Sequence, residues 1–215
     1  MKNLSMDYQV PNPAVEEQTP HGTRQSDVFT RLLKDRIVYL ATPVVPASAN
    51  LIIAQMLFLE KKGPDQPIHF YINSPGGSVH DGLGIYDVMQ NIKVPVHTYA
   101  IGMAASMGSL LLMAGEQGHR YAMPNANIMI HQPLLSGGGL SGQVTDIEIQ
   151  AKNLVKTKEK LTQMYSLHCN QDYDKLRSIM ERDYYMNGYE AKELGLIDHI
   201  IESDKLKNLK LKRGV

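Results

Sequence analysis

Three times in succession the chain runs a β-type apolar segment into a turn and then into a helix-type pattern. This repeat restricts the fold more than any other feature of the sequence. Residues 36–41 read as a strand. Pro43, Pro46 and Ser48 then lead into a helix over 49–61, which Gly63-Pro64 ends. Residues 68–73 form a second strand, turned by Ser74-Pro75-Gly76-Gly77-Ser78 into a helix over 81–92 with Ile85, Met89 and Ile92 on one face. A third strand, 94–101, runs into the small-residue stretch 102–108 and the apolar helical run Leu110, Leu111, Leu112, Met113. Helices of this length suit parallel crossovers, so the class is α/β. Such folds collect ligand groups at the carboxyl ends of their strands, and both glycine-rich segments, 74–78 and 102–108, fall there.

The rest of the chain reads less sharply. Residues 1–24 contain Pro11, Pro13 and Pro20 with little apolar periodicity, so a flexible arm is expected. Ser26 is placed to cap a helix through Val28, Leu32 and Leu33. The helix over 49–61 is apolar on several faces, which predicts deep burial. Short strands are expected at 121–123 and 128–131. Residues 133–142 hold four glycines and little to fix a shape. A long helix over 143–168 carries a narrow apolar stripe, which suits an arm contacting a partner subunit. Further helices are expected at 172–182 and 189–194, the latter closed by Gly195, then a last strand at 197–201 and a solvated tail with five basic residues in 205–213.

Composition excludes several classes. The 22 basic and 22 acidic residues balance, which gives no electrostatic case for nucleic acid or a membrane surface. One cysteine, Cys169, allows no intrachain disulfide framework and no cysteine-based metal site. The polar N-terminus lacks the apolar region of a signal peptide, and a cytoplasmic location is expected. No phosphate loop, dinucleotide fingerprint or metal-ligand spacing of histidines is present, so neither cofactor nor metal is expected.

Ser106 sits at the join of the third strand and its helix. A serine there has its Oγ at the rim of a rigid sheet, beside the unpaired N–H groups of a new helix. Ala104 stands where a Gly-x-Ser-x-Gly elbow needs glycine, and a plain helix-capping serine is the competing reading. His131 ends a strand-like run, 25 residues on, at what would be the same edge. An imidazole beside a serine takes its proton in the transition state, and a carboxylate holds the imidazole in the required tautomer. Spacing does not choose the acid: Asp172, Asp174, Asp183 and Asp198 all follow. The backbone N–H groups after the second strand, at Gly76-Gly77, are free of side-chain cover and could receive a developing oxyanion.

Four stretches carry a resemblance: Tyr71-Ile72-Asn73-Ser74-Pro75-Gly76-Gly77, Gly102-Met103-Ala104-Ala105-Ser106-Met107-Gly108, Ile130-His131-Gln132-Pro133 and Glu181-Arg182-Asp183. In this order, and over about residues 15–202, they closely resemble the ClpP family of ATP-dependent serine peptidases, in its proteolytic subunit. The resemblance implies a crotonase-like α/β fold with a protruding handle, here 134–168, inside a peptidase domain over 25–202. The segment 1–24 would be a leader or axial arm and 203–215 a basic tail. It implies Ser106 as nucleophile, His131 as base and Asp183 as orienting acid, with the N–H groups of Gly77 and Met107 as the oxyanion hole. The implied partners are copies of the same chain in two stacked heptameric rings, a hexameric AAA+ unfoldase of the ClpX, ClpA or ClpC type, and unfolded polypeptides. A noncatalytic ring subunit of a mixed complex is the alternative, and an acyl-CoA enzyme of the crotonase type a more distant one. The chain departs from the family pattern in a longer 134–142 segment, at His69 and Asn91 where apolar or aromatic residues are usual, and at 42–46.

Overall fold

The computed structural model describes residues 13–20, 22–134 and 140–203. Residues 1–12 and 21 of the arm expected over 1–24, residues 135–139 of the glycine-rich stretch, and residues 204–215 of the basic tail expected over 203–215 lie outside the described residues.

From residue 14 the expected arm is an antiparallel hairpin, β1 (Ala14–Thr19) with β2 (Gly22–Asp27), in which Val15 faces Ser26. No apolar alternation announces it. Charge ties it down instead, because Glu17 pairs with both Arg31 and Lys34 of α1 (Val28–Lys34). Ser26 therefore lies inside a strand and the cap falls one residue later: Asp27 accepts from the Thr30 N–H at 3.0 Å.

The three strand–turn–helix units follow as β3 (Ile37–Leu40), α2 (Pro46–Lys62), β4 (Ile68–Ser74), α3 (Val79–Asn91), β5 (Val96–Ala105) and α4 (Met107–Met113). Next come β6 (Arg120–Ala122), β7 (Asn127–Ile130), α5 (Val144–Cys169), α6 (Tyr173–Ile179), β8 (Tyr184–Met186), α7 (Gly188–Glu193) and β9 (His199–Ile200). The sheet order is β3-β4-β5-β6-β9, all parallel, with β7 also parallel to β5 and β8 antiparallel to β7. This is the α/β class expected. The helix expected over 172–182 stops at Ile179, and the unexpected strand β8 follows it.

The sheet has two unlike faces because strand side chains alternate. Val38, Leu40, Ile68, Phe70, Ile72, Val96 and Ala100 point inward and are buried with Ile52, Met56 and Leu59 of α2, Ile85 of α3 and the whole of α4. The opposite face carries an aromatic ladder. Tyr71, Tyr99 and Tyr121 stack in turn at 4.4 and 4.9 Å, and His97 stacks on His119 at 4.0 Å. Burial, then the neighbouring His119 and His69, pushes His97 down to about 4, so its ring joins the stack uncharged at neutral pH. His69 enters the ladder through its Nδ1, 2.9 Å from the Tyr99 hydroxyl.

Burial differs from expectation on α2. Ala49, Ile52, Met56 and Leu59 are inside, but Leu51 and Phe58, seven residues apart and so on one face, are 59% and 54% exposed. On α5 the buried residues begin only at Leu161, so the first half of a helix about 39 Å long stands clear of the core. Cys169 closes α5 inside the protein, where burial raises its thiol to about 12. No helix among the described residues is long and apolar enough to cross a membrane.

One buried ion pair locks the far edge. Arg120 is 4% exposed and holds Asp198 through Nε at 2.9 Å and Nη2 at 2.6 Å, while its Nη1 reaches the carbonyls of Met113 and His168. Burial alone would raise the Asp198 carboxyl. The Arg120 bonds and charge and the Gly118 N–H outweigh it and hold the group below its ordinary value. A depressed folded pKa stabilises above the unfolded value, and that contribution is lost as pH falls through the folded one. Asp198→Asn should cost about 3 kcal/mol at pH 7, the low end for a broken buried pair because Arg120 keeps two carbonyls. In thermal unfolding the gap between variant and wild type should begin to narrow below about pH 3.9 and close only once pH has fallen past the depressed folded value.

Candidate active site

Parallel pairing brings the candidate groups to one edge. β5 pairs with β4 as far as Ile72 opposite Ala100. The register then shifts so that Ser74 faces Ala104. Gly102, at φ 68°, lies in this irregularity, and the Met103 N–H donates to Asn73 Oδ1 at 3.2 Å. On its other edge β5 pairs first with β6 and then, at Met103–Ala105, with β7. Strands β4, β5 and β7 therefore deliver their carboxyl ends together: the 74–78 turn, Ser106 and His131.

Ser106 occupies the join between β5 and α4 at φ 54°, ψ −122°. This lies outside the regions open to ordinary L-residues and costs about 1–3 kcal/mol. The strained strand-to-helix turn of an elbow is present although glycine is missing at 104. Ser106 stands at the N-cap position of α4, but its side chain makes no capping bond to the helix. Its Oγ lies 2.8 Å from His131 Nε2, and His131 Nδ1 lies 2.9 Å from Asp183 Oδ1. With Nδ1–H donated to the carboxylate, Nε2 carries the lone pair that accepts the Ser106 hydroxyl.

Strand β8 chooses among the acids. It pairs antiparallel with β7, Tyr184 opposite Ile130, so that Asp183 stands across from His131. Gln132 strengthens this edge, its N–H donating to the Met180 carbonyl at 2.7 Å and its Nε2 to the Glu181 carbonyl at 2.8 Å. The other candidates are engaged elsewhere. Asp172 caps α6 by accepting from the Lys175 N–H, Asp198 holds Arg120, and Asp174 lies in the first turn of α6.

The glycine turn lies directly against the serine. A Cβ on Gly76 would fall 2.6 Å from Ser106 Cβ and 2.9 Å from Met107 N, and Gly76 has φ 90°. Gly77 sits equally close to Val44, whose N–H donates to the Gly76 carbonyl and whose carbonyl accepts from the Ser78 N–H, both at 2.8 Å. The N–H groups of Gly77 and Met107 donate to no acceptor among the described residues. A small apolar slot lined by Val79, Leu110, Pro133 and Leu161 opens beside Ser106 and His131. It adjoins a cleft of about 600 Å³ between His80, Leu134 and the exposed half of α5.

Comparison with known proteins decides the family. The Clp protease family model matches residues 20–204. The chain belongs to the Clp protease family. A relative from Bdellovibrio bacteriovorus, an ATP-dependent Clp protease proteolytic subunit, is 66% identical over 195 residues, which cover 91% of this chain and 92% of that protein. As a family member the chain is a serine peptidase, and its parallel sheet with flanking helices is the Clp protease fold.

Sequence reasoning missed two features here: strand β8 and the strained conformation of Ser106. Tyr184-Tyr185-Met186 is too short to show a period of two, and nothing local encodes a positive φ at a serine. Gly76→Ala is expected to push Ser106 out of line. Peptide hydrolysis should fall by about 10²-fold in kcat/KM, the scale of a 1 Å misplacement, in protein that remains folded by circular dichroism.

Proposed function

We propose that this chain is the proteolytic subunit of an ATP-dependent protease, in which Ser106 is the nucleophile, His131 the general base and Asp183 the orienting acid. The observation that carries this reading is the continuous relay from Ser106 Oγ to His131 Nε2 and from His131 Nδ1 to Asp183. Ser106 Oγ attacks the scissile carbonyl carbon while His131 Nε2 takes its proton. The oxygen that gains charge accepts from the Gly77 and Met107 N–H groups, donors that have no other use within the described chain. His131 then protonates the leaving amine as the C–N bond breaks. Water, deprotonated by His131, releases the acyl group from Ser106.

The peptidase domain spans 25–202 with a handle over 134–168. The 1–24 segment, which includes β1, acts as the leader or axial arm, and 203–215 as a basic tail. Two stacked heptameric rings of this chain enclose the sites, and a hexameric AAA+ unfoldase feeds them unfolded polypeptide. The relative's name speaks for an ATPase partner. Exposed apolar side chains speak for assembly: Leu51 and Phe58 on α2, and Val144 and Val155 on α5, eleven residues and about three turns apart on one face. The balanced charge and single buried cysteine suit a cytoplasmic protein.

A fluorophosphonate probe with peptide mapping tests the chemistry. Labelling should fall on Ser106, and Ser106→Ala should abolish it and lower peptide hydrolysis by about 10⁴-fold or more. Labelling on another residue, or turnover retained by pure Ser106→Ala, removes Ser106 from the role. Val144→Asp with Val155→Asp should halve the particle mass in light scattering by separating the two rings. An unchanged mass would exclude the α5 face as the contact between them.

A further inference from the structure

Ser109 lies on the first turn of α4 and is fully buried. Three oxygens surround its Oγ: the Ser106 carbonyl at 2.7 Å, the Met129 carbonyl at 2.8 Å and the Tyr165 hydroxyl at 2.7 Å. Tyr165, 3% exposed, comes from the buried half of α5, and its hydroxyl also reaches the Ser106 carbonyl at 3.3 Å. Burial pushes the phenol above its ordinary pKa despite the bond to Ser109, which keeps it an O–H donor.

The hydrogen count closes around these groups. Two hydroxyl hydrogens are available. In one arrangement Tyr165 donates to Ser109 and Ser109 to the Ser106 carbonyl. In another Tyr165 donates to the Ser106 carbonyl and Ser109 to that of Met129. In both of these the Ser106 carbonyl receives a side-chain O–H besides the Ser109 and Leu110 N–H groups, which lie at 3.0 and 3.1 Å; where Tyr165 donates to Ser109 and Ser109 to Met129, it keeps the two N–H groups. The Ser106 N–H donates to the Met129 carbonyl at 2.8 Å.

The peptide units on both sides of Ser106 are thereby fixed, and those two planes define its φ of 54° and ψ of −122°. Such a conformation persists only where the surroundings over-determine it. Met129 lies two residues before His131 on β7, so one buried polar node joins the nucleophile's backbone, the base's strand and the handle helix. The other side chains of α4 itself are apolar. A polar pair kept in such an interior is costly unless every member is satisfied, and here every member is.

We propose that the Ser109–Tyr165 hydroxyl pair is a positioning device that holds the strained Ser106 backbone so that Oγ stays aligned with His131 Nε2. This rests on the reading of Ser106 as nucleophile. Neither residue touches substrate; both act through Ser106.

The test compares the full-length wild type with Tyr165→Phe, Ser109→Ala and the double variant. It reads fluorophosphonate labelling rate at Ser106, kcat and KM on a fluorogenic peptide, particle mass and Tm. Each single variant should lose about tenfold or more in kcat and labelling rate, with KM within about twofold, and the double should fall no further than the worse single. A purely structural role would lower Tm and leave labelling per folded particle at the wild-type rate, and that result overturns the proposal. Additive losses overturn the claim that the two act as one unit. Should Ser109→Ala fail to fold, Tyr165→Phe decides alone, since it removes a single oxygen. A wild type that labels elsewhere, or not at all, removes the nucleophile reading and this proposal with it.

Discussion

The site depends on the way β5 shares its two edges. Parallel strands end at the same side of a sheet, so a strand paired on both edges gathers its neighbours' carboxyl ends around its own. β5 has β4 on one side and, past β6, β7 on the other. The last rung of the β5–β7 pairing is the bond from the Ser106 N–H to the Met129 carbonyl. It sets the distance between serine and histidine before any side chain is considered. The close fit of Gly76 against Ser106 and of Gly108 against the Ser74 carbonyl keeps the β4 turn in the same place. A larger residue at either point would separate groups that the sheet brings together.

The apolar interior and the polar site support one another. α4 is buried along its whole length, which anchors the helix behind Ser106, and the Met107 N–H at its start has no acceptor among the described residues. The outer sheet face is built differently, from stacked tyrosine and uncharged imidazole rings, and remains partly open. Apolar surface also remains on α2 and on the projecting half of α5. This uncovered apolar surface is what the proposed assembly with further copies of the chain would cover.

Local pattern made much of the fold legible. The three strand–turn–helix units, the two glycine turns at strand ends and the long helix were all readable, because each depends on periodicity or turn chemistry within a dozen residues. The hairpin β1–β2 was not, since Glu17 makes its contacts with Arg31 and Lys34 and shows no alternation of its own. The burial of α2 was overestimated for a related reason. Apolar residues on several faces give no sign of which face meets the core and which is left for another surface.

The sequence by itself determined the α/β class, the family and the residue types at the site. It did so through short motifs whose order is specific and whose local spacing dictates strand, turn or helix. Spacing left four aspartates open and only the motif resemblance singled out Asp183; the physical reason is supplied by the tertiary structure, which pairs β8 with β7 and sets Asp183 across from His131 over 52 residues. Tertiary structure alone decided the conformation of Ser106 and the hydroxyl pair behind it, because Tyr165 reaches Ser109 from 56 residues away. A chain encodes its local preferences one neighbourhood at a time. The alignment of distant groups appears only when the sheet and the helices have packed.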